Sequence, residues 1–186
     1  MVLISKNYLK VLLPLLVAST LLLVLRQRPW FTFPFITLGF ILGVLIPDVD
    51  HLIYWLVRAP AQSVSQQALE FWNQRRFKNL LHLIRVHGPT HDNLIFHHFF
   101  GHTVITILSF FIFSSTSNLF VQSLTLAINL HLFLDVYEDW KFRPAHLQAW
   151  LFAREPKQLP LTHLKYYVII FFACNLLYLG LFFLNL

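Results

Sequence analysis

The sequence predicts an all-α integral membrane protein, a single membrane domain of about five transmembrane helices plus one amphipathic helix at the interface. Three observations carry this. The 186 residues are 57% hydrophobic and only 12% charged, where soluble domains carry roughly 25% charged residues. Five apolar runs of near bilayer-crossing length are separated by a turn or by polar stretches. Lys and Arg gather in two of those stretches, the asymmetry that cytoplasmic loops show.

The first span is expected over 8–25, between Lys6/Lys10 and Arg26/Arg28, lengthened at its start by lysines whose stems reach along it. No small-x-small cleavage site follows Leu25, which argues against a signal peptide. The second span, 30–47, carries Gly39 and Gly43 at small-xxx-small spacing, a face suited to close helix contact. Residues 58–92 form the largest polar insertion. Ala59-Pro60-Ala61 breaks the chain there, and Gln62 onward can restart a helix. Leu69, Trp72, Phe77, Leu80, Leu81 and Ile84 recur at three- and four-residue steps among Arg75, Arg76, Lys78 and Arg85. This is the pattern of an amphipathic helix, lying either in the headgroup layer or on the protein's own cytoplasmic face. The third span is expected over 94–113. The fourth, 119–136, follows a five-residue uncharged turn, so the two should pair antiparallel. A polar loop, 138–162, precedes the fifth span, 166–184.

Arg58, Arg75, Arg76, Lys78 and Arg85 in one loop and Lys141, Arg143, Arg154, Lys157 and Lys165 in the other fall on the same side. That side, with the N-terminus, is therefore expected in the cytoplasm, and the protein in the cytoplasmic (inner) membrane. Arg26 and Arg28 count against this orientation but are outnumbered. A net charge of +6 in so apolar a chain suits anionic membrane lipid as partner rather than nucleic acid. One cysteine, Cys174, excludes a disulfide framework and a cysteine-based zinc site.

Topology brings the chemistry together. The second span ends on Asp48, Asp50 and His51; His91, His97, His98 and His102 open the third; His131 and Asp135 close the fourth. All lie at the cytoplasmic face. At about 100° per residue, His91, His98 and His102 fall in a stripe of roughly 40° if one helix carries them, and His97 points away. His131 and Asp135 (i, i+4) share a face, as do Asp48 and His51 (i, i+3), with Asp50 directed elsewhere. Acids and imidazoles beside hydrocarbon are costly unpaired, and a divalent cation offsets that cost; zinc suits this donor set best, with manganese and iron as alternatives. His82 fits the amphipathic pattern as a structural residue, and His146 and His163 read as plain loop residues.

The Leu45-Ile46-Pro47-Asp48-Val49-Asp50-His51 run resembles the Leu-Pro-Asp-x-Asp-His signature of bacterial membrane-bound metal-dependent hydrolases. His87-Gly88-Pro89-Thr90-His91-Asp92 is similar to that family's second motif, and His131-Leu132-Phe133-Leu134-Asp135 to its His-x-x-x-Asp. The order agrees over about residues 39–140. A second register aligns Leu94-Ile95-Phe96-His97-His98 with the middle motif, so either His91 or His97 is the ligand. The resemblance implies one or two divalent ions held by Asp48, His51, His91 or His97, His98, His131 and Asp135, with His102 in the same stripe. Such an ion would activate water toward a phosphoester or ester, lipid-linked or small, with Asp50 as general base. Two further readings stand beside this one. A divalent-cation transporter would spread acids and histidines through the membrane depth, which the outer half of this chain does not show. A non-catalytic scaffold would use the His/Asp network to fix helix packing.

Overall fold

A computed structural model describes residues 6–87, 94–153 and 160–186. Among them every regular element is helical: α1 (Lys6–Leu25), α2 (Thr32–Leu45), α3 (Val49–Ile53) continued by a wide π turn (Tyr54–Arg58), α4 (Ser63–Asn73), α5 (Phe77–His87), α6 (Phe99–Ser115), α7 (Leu119–Phe142), α8 (Pro144–Leu151) and α9 (Leu161–Asn185).

The bundle is built around α7, which packs against α1, α2, α6, α8 and α9. Its closest neighbour is α2, through the two glycines. A Cβ on Gly43 would stand 2.6 Å from the Ala127 methyl, and one on Gly39 would stand 2.7 Å from the Phe120 carbonyl oxygen. The sequence reading of Gly39 and Gly43 as a contact face therefore holds, and the backbones approach because neither position carries a side chain. These contacts run 39 with 120 and 43 with 127, so α2 and α7 are parallel. Asn129 of α7 reaches Ser109 of α6 (2.6 Å), and Phe133 packs on Phe171 and Phe172 of α9.

Apolar packing divides into two main layers. At one end Ile36, Phe40, Val44, Phe113, Leu126, Tyr178 and Phe182 meet residues of α1. At the other, Leu132, Val136, Leu147, Trp150, Leu151, Leu164 and Phe171 surround the C-terminal half of α7. The outward faces are equally apolar: Val17 and Val24 of α1, Phe111 of α6, and Ile170 and Leu184 of α9 are all exposed. A continuous apolar exterior of this kind suits hydrocarbon rather than water.

By length and composition α7 and α9 are each able to cross a membrane, and α2 with α3 and its π turn forms a third candidate, bent by about 40°. Leu12–Leu25 and α6 are shorter apolar helices. Several expected boundaries move. The helix expected over 94–113 begins at Phe99, α7 continues to Phe142, and α8 occupies part of the expected polar loop. The single amphipathic helix becomes two. α4 ends in a Schellman turn, with Arg75 left-handed (φ 54°) and the Arg76 N–H donating to the Phe71 carbonyl (2.8 Å), and α5 starts afresh.

Arg26 and Arg28, the cations that oppose the expected orientation, have a local task. Arg26 donates to the Leu184 carbonyl (3.0 Å), and Arg28 to those of Leu186 (2.7 Å) and Asn185 (3.3 Å). They satisfy orphan carbonyls at the negative end of the α9 dipole.

Candidate metal centre

The break between α2 and α3 creates the first wall of the site. Pro47 has no N–H, and the chain crosses it on i→i+3 bonds: Val49 N–H to the Ile46 carbonyl, Asp50 to Pro47, His51 to Asp48. The tightened, bent turn sends both Asp48 and Asp50 toward the same group of histidines. The expectation that Asp50 points elsewhere fails because it assumes one regular helix through Pro47.

The second wall is residues 94–98. They do not form the first turn of a helix, so the wheel that joined His91, His98 and His102 and excluded His97 does not apply. Instead the segment bends across the start of α6, where Gly101 makes room: a Cβ there would press on the carbonyl oxygens of Ile95 and Phe96, the latter at 3.0 Å. The Phe96 N–H donates to the Asp50 carboxylate, and His97 Nδ1–H faces the same oxygen at 3.5 Å. His98 becomes the N-cap, its Nδ1 accepting from Phe100 N–H (3.3 Å).

The third wall is α7. His131 donates from Nδ1 to the Val44 carbonyl (2.8 Å), an acceptor on α2 brought near by the glycine contact. That bond fixes the tautomer and turns the Nε2 lone pair toward Asp135 (3.2 Å, one helical turn on) and Asp48 (3.7 Å). His97 Nε2 approaches the same Asp135 oxygen at 3.4 Å. One atom each from His97, His131 and Asp135 lie within 4.8 Å of one another.

Two imidazole nitrogens and the Asp135 carboxylate thus face a common centre, with Asp48 at its edge, and unrelieved lone pairs there repel. Positive charge is required there, as a proton or as a metal ion. Donors held tetrahedrally 2.0–2.1 Å from zinc stand about 3.3 Å apart. The His131–Asp135 and His97–Asp135 edges of 3.2 and 3.4 Å are close to that, and all three atoms lie within 4.8 Å. The donor set therefore fits a divalent ion. It also fits the metal–histidine–acceptor arrangement, with Asp50 behind His97 and the Val44 carbonyl behind His131. In the ion's absence His97 carries the charge. Burial alone would lower its pKa, but the hydrogen bonds to Asp135 and Asp50 outweigh this and raise it to about 9.

The sequence-predicted residues divide accordingly. His97, His131 and Asp135 meet, and Asp48 stands at their edge. His51 is buried beside them, its ring 5.5 Å from that of His97, outside the group that shares a centre. Asp50, the base expected from sequence, is 1% exposed and lies behind His97, 3.5 Å from its Nδ1. His98 and His102 do not join the group. His102 stacks on Phe171 and Tyr167, and the Tyr167 hydroxyl bonds its Nδ1 at 2.5 Å. His91 lies outside the described residues.

Sequence reasoning missed the supports. Trp150 of α8 sets its ring edge-on to both His97 and His102 and donates to the buried carboxylate of Asp139 (2.8 Å). Asp139 also pairs with Arg143 and His146, so His146 is no plain loop residue. The signal was available in part, since Asp139 follows Asp135 by one helical turn. The contribution of α8 was not legible.

No family model matches the chain, and neither a curated protein nor a solved structure matches it. The hydrolase resemblance rests on the three short motifs alone.

Proposed function

We propose that the chain is a metal-dependent hydrolase embedded in the cytoplasmic membrane by about five spans, with its N-terminus inside. On this reading the substrate is a phosphoester or ester presented at the cytoplasmic face, lipid-linked or small. The observation that carries the reading is an asymmetry of access. The side chains of His131 and His97 are 0% and 8% exposed, while those of Asp48 and Asp135 are each 30% exposed. Structural metal sites are closed on every side, whereas catalytic ones keep an open position. His97, His131 and Asp135 would hold the ion, zinc by donor type, with Asp48 at the open edge. A divalent ion there supplies Lewis acidity, polarising a phosphoryl or carbonyl oxygen and making water easier to deprotonate. Asp48 is the accessible carboxylate free to take that proton, and Asp50 holds His97 in register.

A second reading has its own support. Asp50, protonated His97 and Asp135 form a hydrogen-bonded chain that needs no metal, and His131 beside them is held by the Val44 carbonyl. Such a network would serve packing alone.

One experiment separates the two. Protein purified without added metal is analysed by elemental mass spectrometry, beside a variant carrying Asp48→Ala and His131→Ala. It is then assayed on phosphoester and ester panels before and after chelation. Near-stoichiometric metal that the folded variant lacks, with chelator-sensitive turnover, supports the hydrolase. A wild type that takes up neither zinc nor manganese assigns the cluster to packing. Equal turnover after chelation refutes metal dependence.

A further inference from the structure

The hairpin α4–α5 has two faces with different partners. Ala68, Leu80 and Leu83 are buried against Trp55 of the π turn, with Leu52, Val64 and Phe71 around them. This seats the hairpin on a residue four positions beyond His51. Other apolar side chains face outward: Leu69, Trp72, Phe77 and Val86 are each 44–52% exposed. The amphipathic pattern therefore belongs to neither of the two sequence readings alone, since the hairpin packs on the protein with one face and leaves the other uncovered.

The uncovered part is concentrated at the tip. Trp72 closes α4 and Phe77 opens α5, their rings edge to face at 6.0 Å and 87°. Between and beside them stand Arg75, Arg76 and Lys78, all exposed. Among the described residues no carboxylate pairs with these three. The nearby Glu70 accepts from the Gln74 amide instead (2.9 Å). The left-handed Arg75 turn is what places two adjacent arginines at the end of the hairpin.

We propose that this tip is a docking surface for anionic phospholipid headgroups of the membrane that holds the bundle. Arg75, Arg76 and Lys78 meet phosphates, and Trp72 and Phe77 seat their rings at the acyl boundary. The charge and the residue types point to that occupant together. Exposed Trp and Phe beside exposed cations match the layer where apolar and anionic groups adjoin, and a basic surface gains from anionic lipid only within a Debye length of it. The proposal does not depend on the hydrolase reading.

The test uses the full chain with Cys174→Ser and Asn73→Cys, carrying an environment-sensitive fluorophore at the exposed position 73. It is reconstituted in phosphatidylcholine nanodiscs with and without phosphatidylglycerol, each doped with headgroup-proximal spin-labelled lipid. The expected result is strong quenching in anionic discs. Three cations make the docked-to-free ratio on the order of a hundredfold higher there than in neutral discs at low salt. The difference shrinks as the Debye length falls to about 3 Å in 1 M salt. Arg75→Glu, Arg76→Glu and Lys78→Glu together abolish the anionic preference. Trp72→Ser with Phe77→Ser keeps the preference but makes quenching shallower. All five positions are exposed, so gel filtration confirms that these variants remain folded. A probe that stays aqueous in anionic discs overturns the proposal. So does quenching that is equal in neutral discs or in the triple-Glu protein.

Discussion

The protonated state of His97 makes a quantitative prediction about metal binding. An ion can use His97 Nε2 only after displacing its proton, and the flanking Asp135 and Asp50 raise that proton's pKa from 6.5 to about 9. At pH 7 the group lies about two units below its pKa. Deprotonation then costs about 2.7 kcal/mol, an apparent affinity on the order of a hundredfold below its limit. Affinity should rise about tenfold per pH unit from 6.5 upward and level off near pH 9. About one proton should be released per ion bound at pH 7 from this residue. Isothermal titration in buffers of different ionisation enthalpy measures both quantities. Asp50→Asn should move the plateau to lower pH, because one of the two carboxylates holding the proton is gone. It should also cost about 10–100-fold at the plateau, since the ring loses its orienting partner. Stability has the opposite sign. A pKa raised on folding stabilises the metal-free protein fully below about pH 6.5, and that stabilisation is lost as pH rises through about 9. The metal-free form should therefore melt at progressively lower temperature across that interval. Binding that is flat between pH 6.5 and 9, or that levels off at 6.5, refutes the His97 assignment.

Other predictions concern the supports. Gly43→Leu should drive α2 from α7, lower the melting temperature and abolish metal binding together, because α2 carries the Val44 acceptor and leads into Asp48; metal retained in a folded variant would show that the contact is dispensable. His102→Phe should keep metal stoichiometry by mass spectrometry, since that ring belongs to the Tyr167 and Phe171 stack. Asp139→Ala should cost about 1–3 kcal/mol in chemical denaturation, leaving the buried Trp150 N–H without an acceptor, whereas Arg143→Ala, at the half-exposed end of its pair, should cost under about 1 kcal/mol.

What the sequence determined by itself follows from local and one-dimensional physics. Apolar runs mark α1, α2, α6, α7 and α9 because burial in hydrocarbon or a core needs a continuous stretch of such residues. Gly39 and Gly43 announce a close contact because nothing else fits one. The i, i+4 spacing places His131 beside Asp135 because α7 is regular there. The tertiary structure decided everything that depends on an irregular backbone or a distant partner. Pro47 bends the chain so that Asp50 meets His97, which a straight helical wheel denies. Residues 94–98 stay out of the helix because Asp50 captures the Phe96 amide and Gly101 lets the bent segment pass, so His97 enters and His98 becomes a cap. The choice between His97 and a stripe of three histidines thus lay in a hydrogen bond 46 residues long in sequence. Orientation of His131 came from a backbone carbonyl on α2, a group that every residue possesses and that composition therefore cannot reveal.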